Sequence, residues 1–435
     1  MIIEYEFGNY RSFKDRTKFS MKASSQTTFN DSLIRVCGER ILPSTVIYGA
    51  NASGKSNIIS SLETFRNIVV IGSLSTATKQ LANLELCPFI HDNGKEPIYL
   101  CLDFINNEKR FKYSIAFNVE KLLRQGRKIV YEKLEIANNK KFATIFSREN
   151  DTIKLSTDEK ILNILNVDLD FIRKIEDRFN DNLDDTELFL SRGFKSSISN
   201  ELADVVIDFF ENKLFVIKDF TQSTMSVQVE IDDEQKNNFT MWNKFLDLFV
   251  KSADFGPQSI LFKNKNNSSD EHTADMQLFS LYQRFDNQGV YIPAELMESR
   301  GTLKLVEFGI AFVHLFENGG VFVLDEFDAA LHPEIVKGII SLFNDNHFNK
   351  KGAQLIFTTH NPIYLNNKMF RRDQIRFVEK DKTTYRSAVY ALSDFGSADV
   401  RNDENFLINY FKGKYSSLPF IDFSALLKNK VDDNV

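Results

Sequence analysis

Apolar and polar positions alternate with a period of two over residues 2–7 and again from Thr17 to Met21, predicting a hairpin of two strands. Ser44 to Tyr48 reads as a short apolar strand that enters Gly49-Ala50-Asn51-Ala52-Ser53-Gly54-Lys55-Ser56, and Asn57 to Val70 continues with helical spacing. From Ile98 to about Ile145 alternation returns in three runs, Tyr99 to Phe104, Phe111 to Phe117 and Ile129 to Ile136. Polar turns separate them, as in an antiparallel meander. Beyond Asp151 the apolar residues Ile161, Leu162, Ile164, Leu165, Phe171, Ile172, Ile175 and Phe179 recur at helical intervals, predicting a mostly helical stretch to about Phe255. A polar segment, Lys263 to Asp270, follows. From Val290 strands are expected at Gly320–Leu324, Gln354–Thr358 and Gln374–Glu379, between helices at about Gly301–Glu317 and Pro333–Phe343.

This order predicts an α/β core split in two. The expected division is a first core half over 1–97, an antiparallel β lobe over 98–150, a mostly helical insert or lid over 151–285, a second core half over 286–395 and a tail over 396–435. No internal repeat and no long heptad run occurs, which excludes an extended coiled-coil arm.

Composition narrows the class without naming a chemistry. The 435 residues are 43% hydrophobic and 26% charged, an ordinary globular balance, with room for more than one core. Phenylalanine is abundant, 41 against a single tryptophan. The net charge of −6 argues against a generally basic coat, although 11 Lys and Arg against 5 Asp and Glu between Asp103 and Arg148 make the meander locally +6. Cys37, Cys87 and Cys101 lie far apart without C-x-x-C spacing, so free thiols in a reducing compartment are expected rather than zinc or disulfides. The start lacks a charged then apolar leader pattern, and Leu303 to Leu324, the best apolar run, is broken by Lys304, Glu307, His314 and Glu317. The expectation is a cytoplasmic protein that does not enter membranes.

The chemistry lies in four elements. Strand, glycine loop and helix at 44–70 form the context in which backbone N–H groups turn toward phosphates; Lys55 supplies charge to the β- and γ-phosphates and Ser56 a hydroxyl for Mg²⁺. Gly49, Asn51, Ala52, Ser53, Gly54 and Asn57 complete this candidate ATP cradle. The strand Val321-Phe322-Val323-Leu324 delivers two carboxylates, Asp325 as a candidate Mg²⁺ ligand and Glu326 as a candidate general base for an attacking water. His360 follows the next apolar strand, within expected reach of the γ-phosphate. Ser299-Arg300-Gly301-Thr302 opens the helix before the acidic strand and leaves a helix N-terminus open to an anion. The expected anion is the γ-phosphate bound by a second copy of the chain.

These pieces resemble the ABC-type ATPases related to the SMC, RecF and OLD groups, and among them the stand-alone AAA-domain ATPases of prokaryotic abortive-infection systems, the RloA and AbiL type. The resemblance runs through Asn9-Tyr10-Arg11-Ser12-Phe13, Gly49 to Asn57, Glu187 to Ser191, Glu298 to Thr302, Leu324 to Pro333, Thr358 to Pro362, Val400 to Asp403, and Tyr410 to Tyr415 with Pro419. It implies a P-loop NTPase fold of ABC-ATPase type, with Arg11 added to the ATP contacts and Glu326 and His360 as the catalytic pair. It also implies ATP and Mg²⁺ as cofactors, a nucleotide-bridged homodimer or larger assembly, and Asp328 to Pro333 as the loop crossing the dimer seam. His332 departs from the pattern, since many relatives carry Asp there. Nothing marks a Q-loop glutamine; Gln125 stands in a basic turn. The family role is an ATP-driven defence component acting with a TOPRIM or HNH nuclease encoded beside it. Only about fifty residues follow Glu379, so a nuclease is expected to act in trans.

Three function classes stay open at this stage: an ATPase sensor or scaffold controlling a separate effector, a RecF-like repair ATPase binding DNA directly through the basic meander, and a binding module locked by ATP. A metabolite kinase has no use for the 299–302 element.

Overall fold

The computed structural model describes residues 1–74, 85–91, 96–119, 127–138, 141–181, 184–218, 240–241, 244–253, 256–264, 276–396, 400–401, 404–415 and 418. Gln125, Arg124, Asn402, Asp403 and Pro419, and most of the polar segment Lys263 to Asp270, lie outside them. The chain divides into two compact units, one of residues 1–218, 321–327 and 354–435, the other of residues 219–320 and 328–353.

The first unit holds two large sheets. The core sheet contains β5 (Ser44–Gly49), β11 (Leu214–Ile217), β16 (Val321–Leu324), β17 (Gln354–Thr358), β18 (Ile375–Lys380) and β19 (Ser387–Ala391), in the order β11-β16-β17-β5-β18-β19. All pairings are parallel except β18 with β19. β5, β16 and β17 are buried along their whole length, which explains apolar runs without alternation. β11 pairs residue for residue with β16, Ile217 beside Leu324. It is a core strand inside the stretch expected to be helical, so the expectation of helix fails there.

The second sheet is antiparallel. It joins β1 (Ile2–Gly8) and β2 (Thr17–Ser20) to the meander β6 (Ile98–Asn106), β7 (Lys109–Val119), β8 (Arg127–Asn138), β9 (Lys141–Glu149) and β10 (Thr152–Leu155), in the order β10-β9-β8-β7-β6-β1-β2. The meander is therefore continuous with the N-terminal hairpin instead of standing as a separate lobe. A two-stranded ribbon, β3 (Ile34–Val36) and β4 (Glu39–Ile41), lies beside it in sequence.

The helix Lys55–Ile71 binds the antiparallel sheet to this core: Tyr5 donates to Ser61 Oγ at 2.9 Å, Tyr10 Oη and Thr64 Oγ1 share a 3.1 Å bond, and Phe65 stacks on Tyr113. Gln354 at the start of β17 ties the two sheets, accepting from Ile2 N at 2.6 Å and donating to the Ile2 and Leu42 carbonyls. Some of the described charges of the meander are paired within the chain. Arg110 forks onto Asp103 and reaches Glu39, Lys133 pairs with Glu135, and Arg148, fully buried, donates to the Glu187, Asp184 and Asn150 carbonyls. Lys128 pairs with Asp151 and Asp185, across the point where the sequence changes charge sign.

The second unit carries a four-stranded antiparallel sheet, β12 (Thr240–Met241), β13 (Ser259–Asn264), β14 (Met276–Gln283) and β15 (Gly289–Pro293). β12 to β14 fall within the insert over 151–285 that was expected to be mostly helical, and β15 falls just after it. Its helices Arg300–Asn318 and Pro333–Asn344 pack through phenylalanine, Phe312 and Phe316 lying 5.5 and 4.9 Å from Phe343, and Phe249 lying 5.6 Å from Phe312. Among the described residues, no helix is long and apolar enough to cross a membrane.

Candidate nucleotide site

The parallel strands all point their C-terminal ends toward one edge of the core sheet, and the chemistry-bearing residues leave from that edge. β5 runs into the glycine loop, which turns through Ala52 at φ 62° and Gly54 at φ 115° before the helix begins at Lys55. A Cβ on Gly54 would stand 2.7 Å from Ser387 Oγ and 2.8 Å from Ser12 Oγ, so both backbone angle and crowding require glycine there. The loop is held from behind. Ser387 donates to the Ser53 carbonyl at 2.6 Å, its Oγ and Ser12 Oγ share a 2.8 Å bond, and Asn57 Nδ2 donates to Ser12 Oγ at 2.7 Å.

Lys55 is only 5% exposed, and its ammonium donates to the Gly49 and Ala50 carbonyls at 2.8 and 3.1 Å. Burial lowers its pKa to about 8, against the pull of Asp325 and Glu326 toward the charged form. β16 ends at Leu324, and buried Asp325 donates its N–H to Ile217 O at 3.0 Å on β11. Thr358, the last residue of β17, ties the Asp325 carboxylate to the Glu326 backbone: its hydroxyl donates to Asp325 Oδ1 and accepts from Glu326 N at 2.8 Å. Glu326 turns out of the strand at φ 48°. Two residues past β17, His360 places Nε2 3.7 Å from Glu326 Oε1, with side chains 43% and 61% exposed.

A cavity of about 730 Å³ is lined by Asn51, Ala52, Gly54, Lys55, Ser56, Asn57, Glu326, His360 and Lys380. Of the expected cradle, Asn51, Ala52, Gly54, Lys55, Ser56 and Asn57 thus converge with Glu326 and His360 in one unit, while Gly49, Ser53 and Asp325 stay outside the lining. Arg11 is outside this lining; it bonds to Asn57 Oδ1 at 3.3 Å and Ser60 Oγ at 3.4 Å and pairs with Glu85 at 2.7 Å. Sequence reasoning passes over Lys380 and Ser387 and, although Ser12 and Thr358 stand within quoted motifs, gives those two no role. A hydroxyl at the end of an apolar strand, and serines far apart in the chain, carry no signal until the sheet brings them together.

In the second unit Ser299 caps the helix Arg300–Asn318, its Oγ accepting from Thr302 N at 3.2 Å. Gly301 lies against the loop of residues 328–332, where a Cβ would meet the Ala330 carbonyl at 2.5 Å, and Lys304 donates to Ala329 O at 2.7 Å. His332 serves its own helix, because its Nδ1 accepts from Glu334 N at 3.3 Å and caps the helix Pro333–Asn344. An aspartate would cap equally well.

Residues 44–366 match the family described as "AAA domain, putative AbiEii toxin, Type IV TA system". Three solved structures are similar in fold. The SMC head domain from Thermotoga maritima is 15% identical, with 90% of this chain and 98% of that one covered and a TM-score of 0.38. An SmcHead bound to the C-winged helix domain of ScpA is 16% identical, with 92% and 99% covered and a TM-score of 0.41. An Smc head domain with an extended coiled coil, bound to the C-terminal domain of ScpA derived from Pyrococcus furiosus, is 15% identical, with 90% and 96% covered and a TM-score of 0.41. No curated protein matches the chain. The fold is that of an AAA domain, with a mainly parallel core sheet beside antiparallel ones.

Proposed function

We propose that this chain, which belongs to the AAA-domain family described as "putative AbiEii toxin, Type IV TA system", binds and hydrolyses ATP between two copies of itself and controls a separate effector. The observation that carries this reading is a cavity in which a buried lysine, a phosphate-type loop, a strand-end glutamate and a histidine meet.

The residues suit the substrate. The loop that tolerates no Cβ at Gly54 turns backbone N–H groups at the helix start toward an anion, and Lys55, already stripped of water, gives up little solvation when it binds phosphate oxygens. Ser56 and Asp325 would hold Mg²⁺, a hard cation that takes oxygen ligands from protein and substrate phosphates. When bound, that ion neutralises charge developing on the transferred phosphoryl group. Glu326 takes the proton of the attacking water, and Thr358 fixes its backbone through the Glu326 N–H. His360 meets the γ-phosphate and orients Glu326 from 3.7 Å away. Arg11, held near Asn57, joins the ATP contacts.

Ser299, Arg300, Gly301 and Thr302 act in trans on the γ-phosphate held by the partner copy, supported by the positive end of the helix that Ser299 caps. Resemblance to the RloA and AbiL type supports an antiviral role in the cytoplasm, with a nuclease or toxin encoded nearby as effector. Direct DNA binding of the RecF kind draws less support, because Arg110, Lys133 and Arg148 spend their charge on partners within the chain.

The test is phosphate release from Mg²⁺-ATP, together with co-purification of the neighbouring gene's product and of DNA. Slow, Lys55-dependent release with effector capture supports the reading. No Lys55-dependent release overturns the ATPase, and capture of DNA without a protein effector moves the RecF-like role into its place.

A further inference from the structure

We infer that Tyr385 is the platform on which the base of the bound nucleotide stacks. The inference rests on the nucleotide reading of the cavity and extends it from the phosphates to the base.

The turn between β18 and β19 is built tightly. Tyr385 N donates to Asp381 O at 2.9 Å and Asp381 N to Arg386 O at 2.9 Å. The Asp381 carboxylate accepts from Thr383 N at 3.0 Å and from the Thr384 backbone and hydroxyl. The turn is pinned beside the glycine loop, since Ser387 N donates to Ser12 O at 2.7 Å and Ser387 Oγ to Ser53 O. Arg386 pairs with Asp15 on the loop after β1.

On this frame Tyr385 sits at φ 59°, left-handed backbone that a bulky aromatic residue occupies at a cost and that Asn or Gly would take freely. Its residue is 47% exposed. The ring is backed by His91, 4.5 Å away and stacked at 16°, and His91 in turn contacts Phe89, which is buried. Lys380, which lines the cavity with the glycine loop, has Nζ 5.8 Å from the Tyr385 ring centroid. A rigid, half-open aromatic ring thus stands beside the phosphate site, braced from the core. A nucleobase presents a flat apolar face of matching kind, and stacking on it needs no hydrogen-bond code. Purines, with the larger ring area, gain more from it than pyrimidines.

The experiment separates base from phosphates. Binding of ATP and of inorganic tripolyphosphate, each with Mg²⁺, is measured for the parent, Tyr385→Leu and Tyr385→Phe. Tyr385→Leu should weaken ATP about tenfold, the lower end of base–aromatic stacking, and leave tripolyphosphate unchanged. Tyr385→Phe should stay within about twofold of the parent on both, because the ring face is kept. Unchanged ATP affinity in Tyr385→Leu overturns the inference, as does a parallel loss for tripolyphosphate, which would mean that Tyr385 only braces the loop. A parent that binds neither ligand overturns the nucleotide reading itself, a different result from either of these.

Discussion

His360 Nε2 lies 3.7 Å from Glu326 Oε1, so two parallel strands that neighbour each other in the sheet deliver an imidazole and a carboxylate to one wall of the cavity. With Lys55 also in the lining, binding and hydrolysis should be separable by mutation.

Glu326→Gln should keep Mg²⁺-ATP binding and lower turnover by about a hundredfold or more, since only the proton acceptor is removed. Lys55→Ala should lose binding itself. Parallel binding and phosphate-release measurements check both, and parental turnover in Glu326→Gln would show that the glutamate is not the base.

Thr358→Val keeps the volume of a buried side chain but strips Asp325 of its donor and Glu326 N of its acceptor. Unfolding should become easier by roughly 1–3 kcal/mol, the cost of leaving buried polar groups unsatisfied. The Mg²⁺ concentration needed for half-maximal hydrolysis should rise. A denaturant titration and a Mg²⁺ titration of activity test the two effects separately.

ATP affinity should fall as pH rises through about 8, because burial holds the Lys55 pKa near that value and the neutral amine loses its attraction for phosphate. Binding above pH 8 should take up a proton, visible in calorimetry as a heat that depends on the buffer. On the folding side the sign is opposite. Between about 8 and the ordinary 10.5 the unfolded chain holds more protons on this lysine, so its contribution to stability of the nucleotide-free protein rises with pH in that window. A pH-independent Kd from about 7 to 9.5 would contradict the electrostatic role of Lys55.

Mixing Lys55→Ala chains with Ser299→Arg chains should restore hydrolysis that neither has alone, because one composite site per heterodimer is intact. Ser299→Arg also removes a helix cap worth about 1 kcal/mol, so its folding is checked first by thermal melting. Silence in the mixture, with heterodimers present by sedimentation, would rule out the sandwich.

Much of the site is legible in the sequence because its signals are local. The glycine loop lies between a buried strand and a helix, and the apolar run of β16 leads straight to Asp325 and Glu326. What escapes depends on residues distant in sequence. Leu214–Ile217 is an apolar tetrapeptide after a long helical pattern, and only pairing with Val321–Leu324 makes it a core strand. The hairpin β1–β2 gives no hint that β1 also pairs with β6 and continues the meander. The +6 count over 103–148 suggests a surface, yet side chains such as Arg148 point inward, and a charge count carries no direction. Ser12 and Ser387 brace the same loop from opposite ends of the sequence.

The placement of β5 also has a consequence for synthesis. Its two neighbours, β17 and β18, come from residues 354–380, so Val46 finds Phe357 and Ile375 only after about three hundred further residues have been made. At roughly 5–20 residues per second a ribosome needs about 15–60 s to supply them. For that interval a strand that ends wholly buried has both edges unsatisfied. The nucleotide loop is encoded early and becomes competent late. A nascent chain of this protein should therefore depend on chaperones until its final strands emerge, and truncation before residue 375 should yield aggregate rather than a smaller ATPase.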